Sequence, residues 1–137
     1  METLKEALLE SLKDLQTAPL PEKAVEYTLY DARGLAQWRN LMEEQLSSAK
    51  TFEIHCWEDE TDEIALALRY GSLQPSDWKH GSIIRGIVTP SFCRFLLDLP
   101  KPADTDIYDK LTPFFSIFLD NGFSSAHYGT ELMKAHT

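Results

Sequence analysis

TFEIHCWEDETDEIALALRY, residues Thr51–Tyr70, is the stretch from which a fold can be read. Phe52, Ile54 and Cys56 alternate with Glu53, His55 and Trp57, the period-two pattern of a strand with one buried face. Further on, Ile64, Leu66, Leu68 and Tyr70 alternate with Ala65, Ala67 and Arg69, which reads as a return strand. Ala and Leu also favour helix, so a helix over 63–69 is the competing reading. Between the runs stand Glu58, Asp59, Glu60, Thr61, Asp62 and Glu63, five carboxylates in six residues. The expectation is a hairpin in the middle of a sheet with an acidic tip.

The rest of the chain builds around that hairpin. Leu4, Leu8, Leu12 and Leu15 predict an amphipathic helix over 2–16, closed by the TAPLP loop from Thr17 to Pro21. Val25, Tyr27 and Leu29 alternate within a strand from Ala24 to Tyr30. Asp31 is placed to cap a helix from Ala32 to about Ser48, with Leu35, Trp38, Leu41, Met42, Gln45 and Leu46 on one side. Gly71–Gly81 reads as loop, and Ser82–Thr89 as a strand with a bulge at Gly86. Pro90 opens a short helix that Pro100 closes. Ile107–Leu119 reads as the last major helix, with Pro113 kinking or restarting it, and Asn121-Gly122 ends it. Phe123–Tyr128 then forms an edge strand, and Gly129–Thr137 a loosely held tail. The order predicts a single α+β domain, a mixed but mainly antiparallel sheet of about four to five strands with helices packed on it.

A chain of 137 residues buries enough surface to fold without a disulfide or metal. Its charge of −9 is uneven: residues 1–70 carry fifteen acids against seven bases, and residues 71–137 seven against six. Such a chain repels phosphate backbones, and no Lys/Arg-rich run offsets this, so nucleic acid is not an expected partner. A basic protein is the partner that this charge would attract and steer. The plainer reading is that acidity keeps the chain in solution. Cys56 and Cys93 belong to no CxxC pair and read as free thiols of a cytoplasmic protein. The opening residues lack the pattern of a signal peptide, and no apolar run reaches membrane-spanning length.

Catalytic motifs are few. No Gly-rich phosphate loop is present, so no nucleotide cofactor is implied. His55, His80, His127 and His136 follow no metal-ligand spacing, and the acidic run lacks the glycine and the spacing of a calcium loop. Ser124, Ser125, His127 and Glu131 lie within eight residues, yet triads are assembled by fold and not by adjacency. His55 and Cys56, as strand neighbours, point to opposite faces.

Two readings of function emerge. The first is an interaction domain, of the inhibitor or immunity-protein kind, that binds a basic partner through Glu58, Asp59, Glu60, Asp62 and Glu63, with Trp57 and Trp78 as anchors and Tyr30 and Tyr128 as further aromatic candidates. The comparison with immunity proteins is one of size and charge alone. The second is a small-ligand binder or hydrolase whose His55, His127 and nearby carboxylates line a pocket between sheet and helices. Self-association through the 123–128 strand or the first helix is a third use of the same features.

Overall fold

The computed structural model describes residues 26–31, 33–103 and 109–136. They form seven strands and three α-helices in the order β1 (Glu26–Tyr30), α1 (Leu35–Leu46), β2 (Thr51–Trp57), α2 (Thr61–Leu68), β3 (Gly71–Leu73), β4 (Gly81–Ile87), α3 (Pro90–Asp98), β5 (Ser116–Leu119), β6 (Phe123–Ala126) and β7 (Glu131–His136). The strands make one sheet in the order β1-β7-β6-β5-β2-β4-β3. Every pairing is antiparallel, so the α+β class holds while the sheet is larger than four to five strands and is not mixed. The helix expected over 2–16 lies outside the described residues.

β2 is central, flanked by β4 and β5. Its alternation is obeyed: Phe52, Ile54 and Cys56 are fully buried, while Glu53 and His55 are half-buried and Trp57 is exposed. The buried set meets all three helices. Trp38, Met42 and Leu46 of α1, Ala67 of α2, and Phe92 and Leu96 of α3 share one cluster with Phe52, Ile54, Ile84, Ile117 and Leu132. Each large side chain removed from water there contributes about 1.5–3 kcal/mol. Phe92 stacks flat on Phe52 with ring centroids 3.9 Å apart. Gly86 pairs with Phe52 in an unbroken register, so it marks no bulge. A Cβ there would come within 2.6 Å of the Phe52 ring, and the glycine makes room for that ring.

The short helix after Pro90 forms as its sequence directs, with the Thr89 hydroxyl accepting from the Phe92 amide at 3.0 Å. Six other elements depart from the expectations above, the first being β3, which takes Gly71–Leu73 from the segment read as loop by pairing with β4. The run after the acidic residues is helix α2 and not a return strand. Ala and Leu carry the highest helix propensities, and Asp62 and Glu63 in its first turn complement the helix dipole. α1 begins at Leu35, preceded by Gly34 with φ 113°, and Asp31 instead pairs with Arg33. In place of the end of a last helix, Ser116–Leu119 is β5, and Pro113 falls in the bends before it. β6 is an interior strand between β5 and β7, and Glu131–His136, read as tail, is β7. The edges are β1 and β3. No helix among the described residues is long and apolar enough to cross a membrane.

Candidate functional site

The acidic residues line a cleft, not a hairpin tip. β2 ends at Trp57, the chain turns, and α2 starts four residues later. The turn is locked at three points. The Glu60 amide donates to the Trp57 carbonyl at 2.9 Å, the Glu58 amide to the His80 carbonyl at 2.8 Å, and the Trp57 amide to Glu60 Oε1 at 2.7 Å. Glu60 thus returns its own carboxylate to the strand it follows. Its second oxygen accepts the Tyr128 hydroxyl at 2.7 Å. One carboxylate therefore ties β2, α2 and the turn after β6 together.

Tyr128 reaches Glu60 from a tight turn of unusual backbone. His127, Tyr128 and Gly129 have φ of 51°, 60° and 93°, three consecutive residues in the left-handed region. For the two with side chains this costs of order 1–3 kcal/mol each and persists only where surroundings enforce it. Here the Tyr128 amide donates to the Phe115 carbonyl at 3.0 Å, and the Tyr128 carbonyl accepts from Leu111 and Thr112. At Gly129 a Cβ would stand 2.9 Å from Trp38 Nε1.

The resulting cleft encloses about 590 Å³ between Trp57, Glu58, Asp59, Glu60 and Glu63 on one side and Lys110, Tyr128 and His80 around the remainder. The Lys110 ammonium lies 4.2 Å from the Tyr128 ring centroid, a cation–π contact inside an acidic wall. Burial, then the Glu60 hydrogen bond and the charges of Glu60, Asp59 and Glu63, hold the Tyr128 phenol well above its ordinary range. It stays a neutral donor. Behind Trp57 the aromatic packing continues. Trp78 meets it edge-on at 5.0 Å and Phe115 at 5.0 Å, and Phe115 in turn meets Tyr128 and His127 at 5.4 Å.

Of the residues singled out by sequence as partner contacts, Trp57, Glu58, Asp59, Glu60, Glu63 and the aromatic candidate Tyr128 line the cleft. Asp62 is exposed outside its wall, and Trp78 buttresses Trp57 from behind, its ring laid over Gly81, where a Cβ would come within 2.2 Å. Tyr30 packs on the buried Phe123 ring, away from the cleft. Lys110 was missed, an isolated lysine in a connecting segment with nothing in its neighbours to mark it, and His80, weighed by sequence only as a metal ligand, lines the cleft as well.

The catalytic alternative finds its groups dispersed. His55 lies on the sheet face opposite the helices, its Nε2 2.6 Å from Glu53 Oε2, and Arg85 clasps Glu53 Oε1 at 2.6 Å. His127 Nε2 sits 3.7 Å from Glu131. Ser125 accepts from Trp38 Nε1 on the helix side, while Ser124 faces the other way. Cys56 is fully buried, and burial with the nearby Glu60 and Glu63 pushes its thiol up to about 12, so it carries no thiolate at neutral pH. Burial raises the Cys93 thiol as well. Among the described residues no group of three His, Cys, Asp or Glu side chains is placed to hold a metal ion. Comparison of the chain with protein-family models, with curated proteins and with solved structures finds no match.

Proposed function

We propose that this protein is a small cytoplasmic interaction domain that binds a basic protein, in the manner of an inhibitor or immunity protein. The contact would be a lysine or arginine of the partner entering the cleft between the acidic turn and Tyr128. The observation that carries this reading is the pairing of four carboxylates with two aromatic walls, Trp57 and Tyr128, around a space that already holds the ammonium of Lys110 over an aromatic face. Carboxylates attract the cation from a distance, and the rings hold its desolvated stem and charge. Trp and Tyr are also the side chains that most often anchor protein interfaces.

The test is capture from cells that express the protein, using immobilised full-length chain and the triple variant E58K/D59K/E63K. These three lie in the cleft wall and, unlike Glu60, hold the turn through no side-chain hydrogen bond. The reading expects a small set of basic proteins retained by the parent chain and lost by the variant. Identical sets from both would overturn it.

A further inference from the structure

We propose that a second cleft, between the C-terminal end of α2 and one side of α3, binds a small monocarboxylate with an apolar body. The spacing of residues lays the cleft out. Ser91, Arg94, Phe95 and Asp98 fall at i, i+3, i+4 and i+7 of α3 and share one side of that helix, while Phe92 and Leu96 turn to the core. Leu66, Arg69 and Tyr70, again three and four residues apart, finish α2 and its last turn and face them. The space between is about 460 Å³, within the usual range of a small-ligand cleft. It shares no lining residue with the acidic cleft: α2 lends its first turn to one and its last to the other.

The charges decide the ligand. Arg33 pairs with Asp31 and Arg85 with Glu53. Arg39 donates its Nη2 to the Leu99 carbonyl at 2.9 Å and so fixes the end of α3 that walls the cleft. Arg69 and Arg94 differ: among the described residues neither side chain makes an ion pair or a hydrogen bond, in a chain that carries 22 acids. Arg69 is nonetheless held in place. Its guanidinium lies 5.7 Å from the ring centroids of both Tyr70 and Phe95, and those rings stack at 4.5 Å. A guanidinium seated on rings keeps its N–H edges for an acceptor, and that planar fork fits a carboxylate. Against the two arginines the lining sets one acid, Asp98, so a single negative charge on the ligand completes the balance. A second would stand uncompensated in a chain of net charge −9, which disfavours phosphate dianions and polyphosphates. Leu66, Phe95, Leu99 and Pro100 offer the apolar surface that a hydrocarbon body would cover.

The experiment titrates the isotope-labelled full chain at pH 8 with sodium octanoate below its micelle concentration. Sodium acetate supplies the charge without the body, and octan-1-ol the body without the charge. Saturable shifts at Leu66, Arg69, Arg94 and Phe95 are expected with octanoate alone. In R69Q/R94Q, which changes two exposed side chains and leaves the core untouched, octanoate should bind about tenfold or more weaker. E58K/D59K/E63K should bind it as the parent chain does, which separates this site from the acidic cleft. Octyl phosphate, a dianion at this pH, should bind the parent chain more weakly than octanoate, and D98N should narrow that gap. Octanoate binding of equal strength in R69Q/R94Q, saturation by octan-1-ol at the same residues, or no saturation at all would each overturn the proposal. Tighter binding of octyl phosphate than of octanoate by the parent chain would overturn the choice of a monoanion.

Discussion

The two faces of β2 are seven residues of one strand under two different rules. On one, Phe52, Ile54 and Cys56 are sealed beneath three helices. On the other, Glu53 is clasped by Arg85 and lies beside His55, His55 packs on Phe118, and Trp57 opens onto the acidic cleft. The first face is interchangeable with any well-packed core, and its residues answer only to volume. The second is made of groups whose partners are specific atoms, and it is there that recognition is concentrated. The difference separates what holds this protein together from what it offers to others.

The largest effect should come from the covered face. Phe52→Ala removes a ring stacked on Phe92 and is expected to cost about 3–5 kcal/mol in denaturant unfolding, against about 1 kcal/mol for Trp57→Ala on the other face. Equal costs would break the distinction. Next comes Glu60, which belongs to the cleft yet serves the fold. Glu60→Ala leaves the Tyr128 hydroxyl and the Trp57 amide without their partner and should cost about 1–3 kcal/mol, while Glu58→Ala stays within about 0.5 kcal/mol. The two together sharpen the separation between acids that build the cleft and acids that only charge it.

Two pH responses follow with smaller amplitude. The Tyr128 phenol titrates above its ordinary value of 10.0 in the folded chain. Above that value the unfolded chain gives up a proton that the folded chain keeps, so stability is whole below pH 10 and falls as pH rises toward the folded value. Tyr128→Phe should flatten this alkaline loss, read from unfolding midpoints across the range. For Glu53, burial raises the carboxyl, but the His55 and Arg85 contacts outweigh it and the net shift is below 4.5. Its contribution is present above the unfolded value and is lost as pH falls through the folded one. Glu53→Gln should remove that acid-side slope, and a slope unchanged in the variant would place it elsewhere.

How much of this was legible depended on whether local pattern and tertiary demand agreed. β2, β4 and α3 were legible because their periods match their burial and because Thr89 and Pro90 mark a helix start in any context. α2 was not, since Ala-Leu-Ala-Leu alternates in the strand period while its propensity is helical, and the helix won. β7 was hidden by Lys134, which sits on the helix-covered side of the sheet, where its ammonium donates to Gln45 Oε1 at 2.9 Å, and so breaks the alternation. β5 was hidden because Phe114–Leu119 is apolar throughout save Ser116, a run that carries no period to read. In the cleft, the acids were visible as composition. Their concavity was not, because it depends on a left-handed turn about seventy residues further on that brings Tyr128 back to Glu60.

The central claim is that the acidic turn and its aromatic walls together form a seat for a cationic side chain. Titration of the isotope-labelled full chain with argininamide tests it most directly. Saturable shifts confined to Trp57, Glu58, Asp59, Glu63, Lys110 and Tyr128, absent from E58K/D59K/E63K, are the predicted result. Shifts spread evenly over the remaining acids, such as Glu43, Asp98 and Glu131, and equally strong in the variant, would contradict it.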